Sequence, residues 1–148
     1  MQIKAKKSLG QNFLIDKNII NKIVAVATIQ PNDNVLEIGP GTGNLTESIL
    51  NKKPKKIYVI EKDERLVKLL SERFKNQITI INEDILKISE HSISNDELIV
   101  FGNLPYNIST QILSKWIISA YNKKWYKSLI LMFQKEVANR ILAKTNSK

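Results

Sequence analysis

Apolar positions along the 148-residue chain follow two alternating periods. Short apolar runs of strand length lie at Val35–Ile38, Ile57–Ile60, Ile78–Ile81, Leu98–Phe101 and Ser128–Phe133. Between them apolar residues recur at helical spacing. Ile19, Ile20, Ile23, Val24 and Ala27 line one face of a helix expected over residues 17–28, with Asp16 as its N-cap. A second helix runs from Asn44 to Leu50 and is stopped at Pro54. Asp63 caps a third, with Leu66, Leu69, Leu70 and Phe74 inward. Ser109 or Thr110 caps a fourth that reaches Tyr121, and Gln134 to Ala143 forms a fifth. Residues 87–97 are polar and read as a loop with one short turn. Strands alternating with helices at this spacing require right-handed crossovers, hence an α/β fold with a doubly wound, mostly parallel sheet of about five strands. Residues 1–16 form a basic arm ahead of this domain, which occupies residues 17–148.

Composition narrows the class. The length suits one domain with a sizeable core. No apolar run approaches the roughly 20 residues of a membrane helix, and no signal peptide precedes the first motif, so a cytoplasmic protein without a membrane partner is expected. The absence of cysteine excludes disulfide and thiolate chemistry. The single histidine, His91, lies in the polar stretch and reads as a surface residue, and no metal site is expected. The net charge of +9 is concentrated at the two ends. Residues 1–30 carry five lysines against Asp16, and residues 113–148 carry eight basic groups against Glu136, whereas acids outnumber bases between them. Lysines on a solvated surface explain any one of these charges; a basic excess confined to the ends also suits a phosphate backbone.

The stretch from Val35 to Thr46 departs most from ordinary patterning. A buried-strand run ending in Glu37-Ile38 breaks into Gly39, Gly41 and Gly43 and then opens a helix. Such a loop presents backbone N–H groups and a helix start to a nucleotide-like ligand. The dinucleotide fingerprint places its third glycine three residues after the second, where this chain has Asn44. A ligand without a pyrophosphate, such as S-adenosylmethionine, fits better than NAD, and no His or Lys constellation for hydride transfer accompanies the loop.

Ligands of such sheets bind outside the carboxyl ends of the strands. That rim collects the glycine loop, Glu61, Asp84 and Asn103-Leu104-Pro105-Tyr106. Glu61 can accept from two ribose hydroxyls, and its place after a fully apolar strand favours that role over a surface acid; Asp84 can accept from an adenine amino group but alone is equally an ordinary turn acid. The Asn-Leu-Pro-Tyr segment carries more information. The lone pair of a nucleobase amine is delocalised into its ring, and an Asn oxygen with a backbone carbonyl can localise it by accepting the amine hydrogens. Pro105 fixes the backbone without offering an N–H, and Tyr106 can stack on an exposed base.

Gln11-Asn12-Phe13-Leu14, Glu37-Ile38-Gly39-Pro40-Gly41-Thr42-Gly43, Glu61, Glu83-Asp84 and Asn103-Leu104-Pro105-Tyr106-Asn107-Ile108-Ser109-Thr110 together resemble the KsgA family of small-subunit rRNA adenine dimethyltransferases. The resemblance spans essentially the whole chain. It implies a Rossmann-like methyltransferase sheet, S-adenosylmethionine as donor, and dimethylation of two adjacent adenines near the rRNA 3′ end. It further implies that Asn12 and Leu14 contact the donor beside Gly39, Gly41, Glu61, Asp84 and Asn103, and that Tyr106 holds the base. Family members continue past Lys148 with further strands and a helical domain. Without those strands, Leu129 to Phe133 would form an apolar sheet edge. The expected partner is small-subunit rRNA and the expected state a monomer. The alternatives are a non-catalytic rRNA-binding or assembly module, and an Erm-type enzyme acting on large-subunit rRNA. Erm enzymes more often carry Ile where Leu104 stands, and lack Pro40.

Overall fold

In a computed structural model the described residues are 5–6, 11–104 and 107–144. The five predicted strands are present as β1 (Asn34–Ile38), β2 (Lys56–Ile60), β3 (Thr79–Ile81), β4 (Leu98–Asn103) and β5 (Tyr126–Met132). They form one parallel sheet of order β3-β2-β1-β4-β5. The helices are α1 (Lys17–Val26), α2 (Asn44–Leu50), α3 (Glu64–Phe74), α4 (Ser109–Asn122) and α5 (Lys135–Leu142). No helix among the described residues is long and apolar enough to cross a membrane.

Period-two alternation divides each central strand between two cores. Val35, Ile99 and Phe101 meet Ile20 and Val24 of α1, Leu45 and Ile49 of α2, and Leu70 and Phe74 of α3. Leu36, Ile38 and Val100 face the other way, onto Ile112 and Trp116 of α4, Ile85 and Trp125. The sheet is therefore doubly wound. Among the described residues β5 is the edge and pairs with β4 alone; Leu129 to Met132 are half-buried there, so the expected apolar edge is present.

Several local expectations need correction. α1 ends at Val26, two residues early, because Ala27 caps it and Thr28 takes φ +47, a value that breaks a right-handed helix. Neither Ser109 nor Thr110 caps α4: both lie within it, and Ile108 stands at the N-cap with no side-chain bond. The polar stretch before β4 does carry its one short turn, a 3₁₀ turn at Glu90–Ser92 that follows another at Ile85–Lys87, but one acid of that turn is unlike a loop residue. Glu90 is 2% exposed and accepts from Trp116 Nε1 at 2.8 Å, while Lys115 Nζ lies 2.7 Å from the same Oε1. The charge is buried because the α4 tryptophan and lysine supply partners, which its own neighbourhood in sequence does not reveal. His91 is half-buried, with Nε2 3.1 Å from Ser119 Oγ.

Candidate functional site

The carboxyl ends of β1 to β4 open onto one cavity of about 320 Å³. Gly39 and Gly41 reach it from the β1–α2 loop, Glu61 from the end of β2, Asp84 from beyond β3, and Asn103 as the last residue of β4. Gln11, Asn12 and Phe13 close it from the segment ahead of α1, and Leu66, Ile85 and Leu86 supply apolar wall. Backbone pairing fixes the rim. Gly39 N–H donates to the Ile60 carbonyl at 3.0 Å and Glu61 N–H to that of Ile81 at 3.1 Å, extending the ladder past the strand ends.

The glycine loop turns strand into helix within five residues. Gly39 and Gly43 stand at φ +66 and +86, where an L side chain is strained. Space is equally restrictive: a Cβ at Gly39 would lie 3.0 Å from the Asn103 carbonyl oxygen, and one at Gly43 2.5 Å from the Phe74 ring. Phe13 lies against Gly41 and roofs the loop.

Two carboxylates lie beneath. Glu61 is buried and its Oε1 accepts from the Asp63 N–H at 2.9 Å. Burial raises its pKa, against the opposing pull of the Asp63, Lys62 and Gly41 backbone N–H groups. Glu37, 1% exposed and absent from the cavity wall, accepts from Thr46 Oγ1 at 2.6 Å. Its pKa is pushed up to about 7, chiefly by burial, with the charge of Glu61 adding to the rise and the Thr46 bond opposing it. It is a strut between β1 and α2. Asp84 is held below the usual carboxylate range, first by the Lys62 ammonium 2.7 Å away; its other oxygen accepts from Leu86 N–H at 3.0 Å.

Asn103 Nδ2 donates to the Asn12 carbonyl at 2.8 Å, across 91 residues of chain. Only the amide nitrogen can donate to a carbonyl, so this bond assigns the donor and acceptor sides of the Asn103 amide.

Of the residues picked out in the sequence, Asn12, Gly39, Gly41, Glu61, Asp84 and Asn103 share the cavity. Leu14 and Leu104 do not line it. Leu14 packs on the α1–α2 core and its carbonyl accepts from Asn44 Nδ2 at 3.0 Å; Leu104 is buried in the α4 core. Anything either gives a ligand comes from its backbone. Pro105 and Tyr106 lie outside the described residues. Sequence reasoning assigned no role to Gln11 and Phe13, or to Lys62; their signal was proximity to the motif residues, with no periodicity to mark them. Among the described residues no cluster of His, Cys, Asp or Glu could hold a metal ion.

A parallel sheet of this order, with a glycine loop after its central strand and an acid after the next, defines a Rossmann-like methyltransferase domain. The family model described as ribosomal RNA adenine dimethylase matches residues 2–148, and the chain belongs to that family. It is 62% identical over 147 residues to ribosomal RNA small subunit methyltransferase A of Pelagibacter ubique, covering 99% of this chain and 56% of that protein. The chain thus spans about half the length of the curated relatives it matches. Among solved structures it resembles a dimethyladenosine transferase from Plasmodium falciparum, with TM-score 0.79 and 33% identity over 92% of this chain and 48% of that one. The 23S rRNA methyltransferase ErmE is more distant, with TM-score 0.72 and 28% identity over 86% and 50% of the two chains.

Proposed function

We propose that this chain carries the catalytic part of a small-subunit rRNA adenine dimethyltransferase that uses S-adenosylmethionine. The observation behind this reading is a single cavity lined on one side by the glycine loop, Glu61 and Asp84 and on the other by Asn103. The residues suit the donor. Glu61, partly satisfied by backbone N–H groups, has further lone pairs for ribose hydroxyls, and its charge would repel a ribose phosphate. Asp84 keeps lone pairs for an adenine amino group beyond those that hold Lys62 and Leu86. Leu66, Ile85 and Leu86 offer apolar surface for a purine face, and Asn12, Gly39 and Gly41 offer backbone.

When bound, the donor supplies an electrophilic methyl group on a sulfonium. The chain's own residues then act on the target amine. Asn103 accepts one amine hydrogen through Oδ1 and a backbone carbonyl of the Leu104–Pro105 segment accepts the other, concentrating the nitrogen lone pair towards the methyl. Tyr106 stacks on the base. The amine nitrogen becomes cationic as the new bond forms, so its proton leaves to water without a dedicated base of shifted pKa.

Calorimetric titration of the chain with S-adenosylmethionine tests the first half: binding is expected, weakened about tenfold or more by Glu61→Ala through loss of charge-assisted bonds. A folded wild type that does not bind refutes the reading. Radiolabelled methyl transfer to undermethylated small-subunit particles tests the second; donor binding with no transfer would instead favour a non-catalytic rRNA-binding module, and transfer confined to large-subunit rRNA an Erm-type enzyme.

A further inference from the structure

Three contacts pin the segment ahead of α1 across the mouth of the cavity. Gln11 is fixed at both ends of its amide: Oε1 accepts the Lys6 N–H at 2.8 Å and Nε2 donates to Asp63 Oδ2 at 3.0 Å. Asn12 offers its carbonyl to Asn103 Nδ2, and Leu14 offers its own to Asn44 Nδ2. Asp63 in turn is immobilised. Its side chain is 3% exposed, and Arg65 grips both oxygens, Nε on Oδ1 at 3.0 Å and a terminal nitrogen on Oδ2 at 2.6 Å. The Asp63 N–H meanwhile donates to Glu61 Oε1. One residue thus holds the cavity's carboxylate by its backbone and the overlying strap by its side chain.

We propose that Gln11 and Asp63 are positioning residues for Asn103: their bond fixes the strap at the height where the Asn12 carbonyl can hold the Asn103 amide in one orientation. The inference rests on the reading of Asn103 as the acceptor for the target amine. Without the clasp the Asn12 carbonyl is no longer held against β4. The Asn103 amide can then turn its NH₂ group towards an amine that is itself a hydrogen donor, a pairing that localises no lone pair. Neither Gln11 nor Asp63 needs to touch the base for this to matter, because misplacement of a contact group by about 1 Å costs up to about 100-fold in rate. The clasp also joins the two halves of the cavity, since Asp63 follows the β2 acid and Asn103 ends β4.

The test uses Gln11→Ala, with Gln11→Lys as the rescue that still donates to Asp63, and two readouts. In the first, the Asn103 side-chain amide signal, assigned by its loss in Asn103→Asp, is followed by NMR in the chain without RNA. Its hydrogens are expected to exchange about tenfold faster in Gln11→Ala, as a freed amide does, and at the wild-type rate in Gln11→Lys. Unchanged exchange in Gln11→Ala overturns the proposal whether or not the chain methylates anything. In the second, Gln11→Ala is expected to lower kcat by about 10- to 100-fold, with donor KM changed less than about threefold. The same substitution is expected to change kcat little in an Asn103→Ala background. Equal losses in both backgrounds would mean that Gln11 acts elsewhere and would overturn the proposal. A wild type that binds donor but transfers no methyl would refute the functional reading and leave the NMR arm to decide the clasp.

Discussion

Glu37 couples the stability of the fold to pH in the direction opposite to most carboxylates. It is 1% exposed, on β1 beneath α2, and accepts from the Thr46 hydroxyl at 2.6 Å. Its pKa rises from 4.5 to about 7 on folding, burial being the largest cause. Between those values the folded chain holds a proton that the unfolded chain has released, so stability falls as pH rises through this window. The contribution is fully present below about pH 4.5 and lost above about pH 7. The rise is worth on the order of 3 kcal/mol at 1.36 kcal/mol per pH unit. Glu37→Gln removes the titration while keeping the shape and an acceptor for Thr46. Urea unfolding of both chains, followed by circular dichroism from pH 4.5 to 8.5, gives the difference between them. The variant is expected to match the wild type at the acid end and to exceed it by roughly 3 kcal/mol at the alkaline end, a midpoint shift of about 1–2 M urea. Glu61, whose pKa is also raised, titrates in both chains and largely cancels in the difference. Parallel stability curves across the range would show that Glu37 is charged at no cost in the folded state and would refute this account of it.

Two other substitutions probe the frame around the site. Gly43→Ala places a Cβ 2.5 Å from the Phe74 ring at φ +86, and is expected to cost 2 kcal/mol or more in thermal unfolding; a loss below about 0.5 kcal/mol would mean that the loop and α3 move apart freely. Glu90→Ala leaves Lys115 and the buried Trp116 indole N–H without their shared carboxylate, with an expected loss of about 3–5 kcal/mol and a shifted tryptophan emission; a neutral result would show that water replaces the carboxylate.

The sequence made the frame legible wherever the signal was local. Apolar runs of strand length, the glycines after Ile38 and the caps Asp16 and Asp63 each need only a few neighbouring residues to be recognised. The structure has them where the pattern placed them. What escaped depends on partners far away in the chain. Glu90 looks like any loop acid until Trp116, 26 residues on, is seen to donate to it. Gln11 and Phe13 have no period of their own and gain meaning only from Asp63 and Gly41 across the cavity. Leu14 and Leu104 show the converse error of resolution: a motif names a position, but their side chains turn to the two cores while the motif's polar members face the cavity.

Why the glycine loop, the acid and the asparagine share one cavity follows from strand order. β1 lies between β2 and β4, so Gly39 stands between Glu61 on one side and Asn103 on the other. Neighbouring strands lie about 4.8 Å apart, so the two flanking ends are roughly 10 Å from each other, the span of one nucleoside-sized molecule. That spacing leaves little room at the middle strand. A Cβ on residue 39 would crowd the Asn103 carbonyl at 3.0 Å, and with the carbonyl the end of β4. Read from the sequence, the first glycine served the approach of a ligand to the backbone. In the folded chain it also serves the approach of β4, which sets the distance between the acid after β2 and the asparagine that ends β4. A larger residue there would disturb both sides of the cavity at once, so this glycine sets the width of the cavity as much as the shape of the loop.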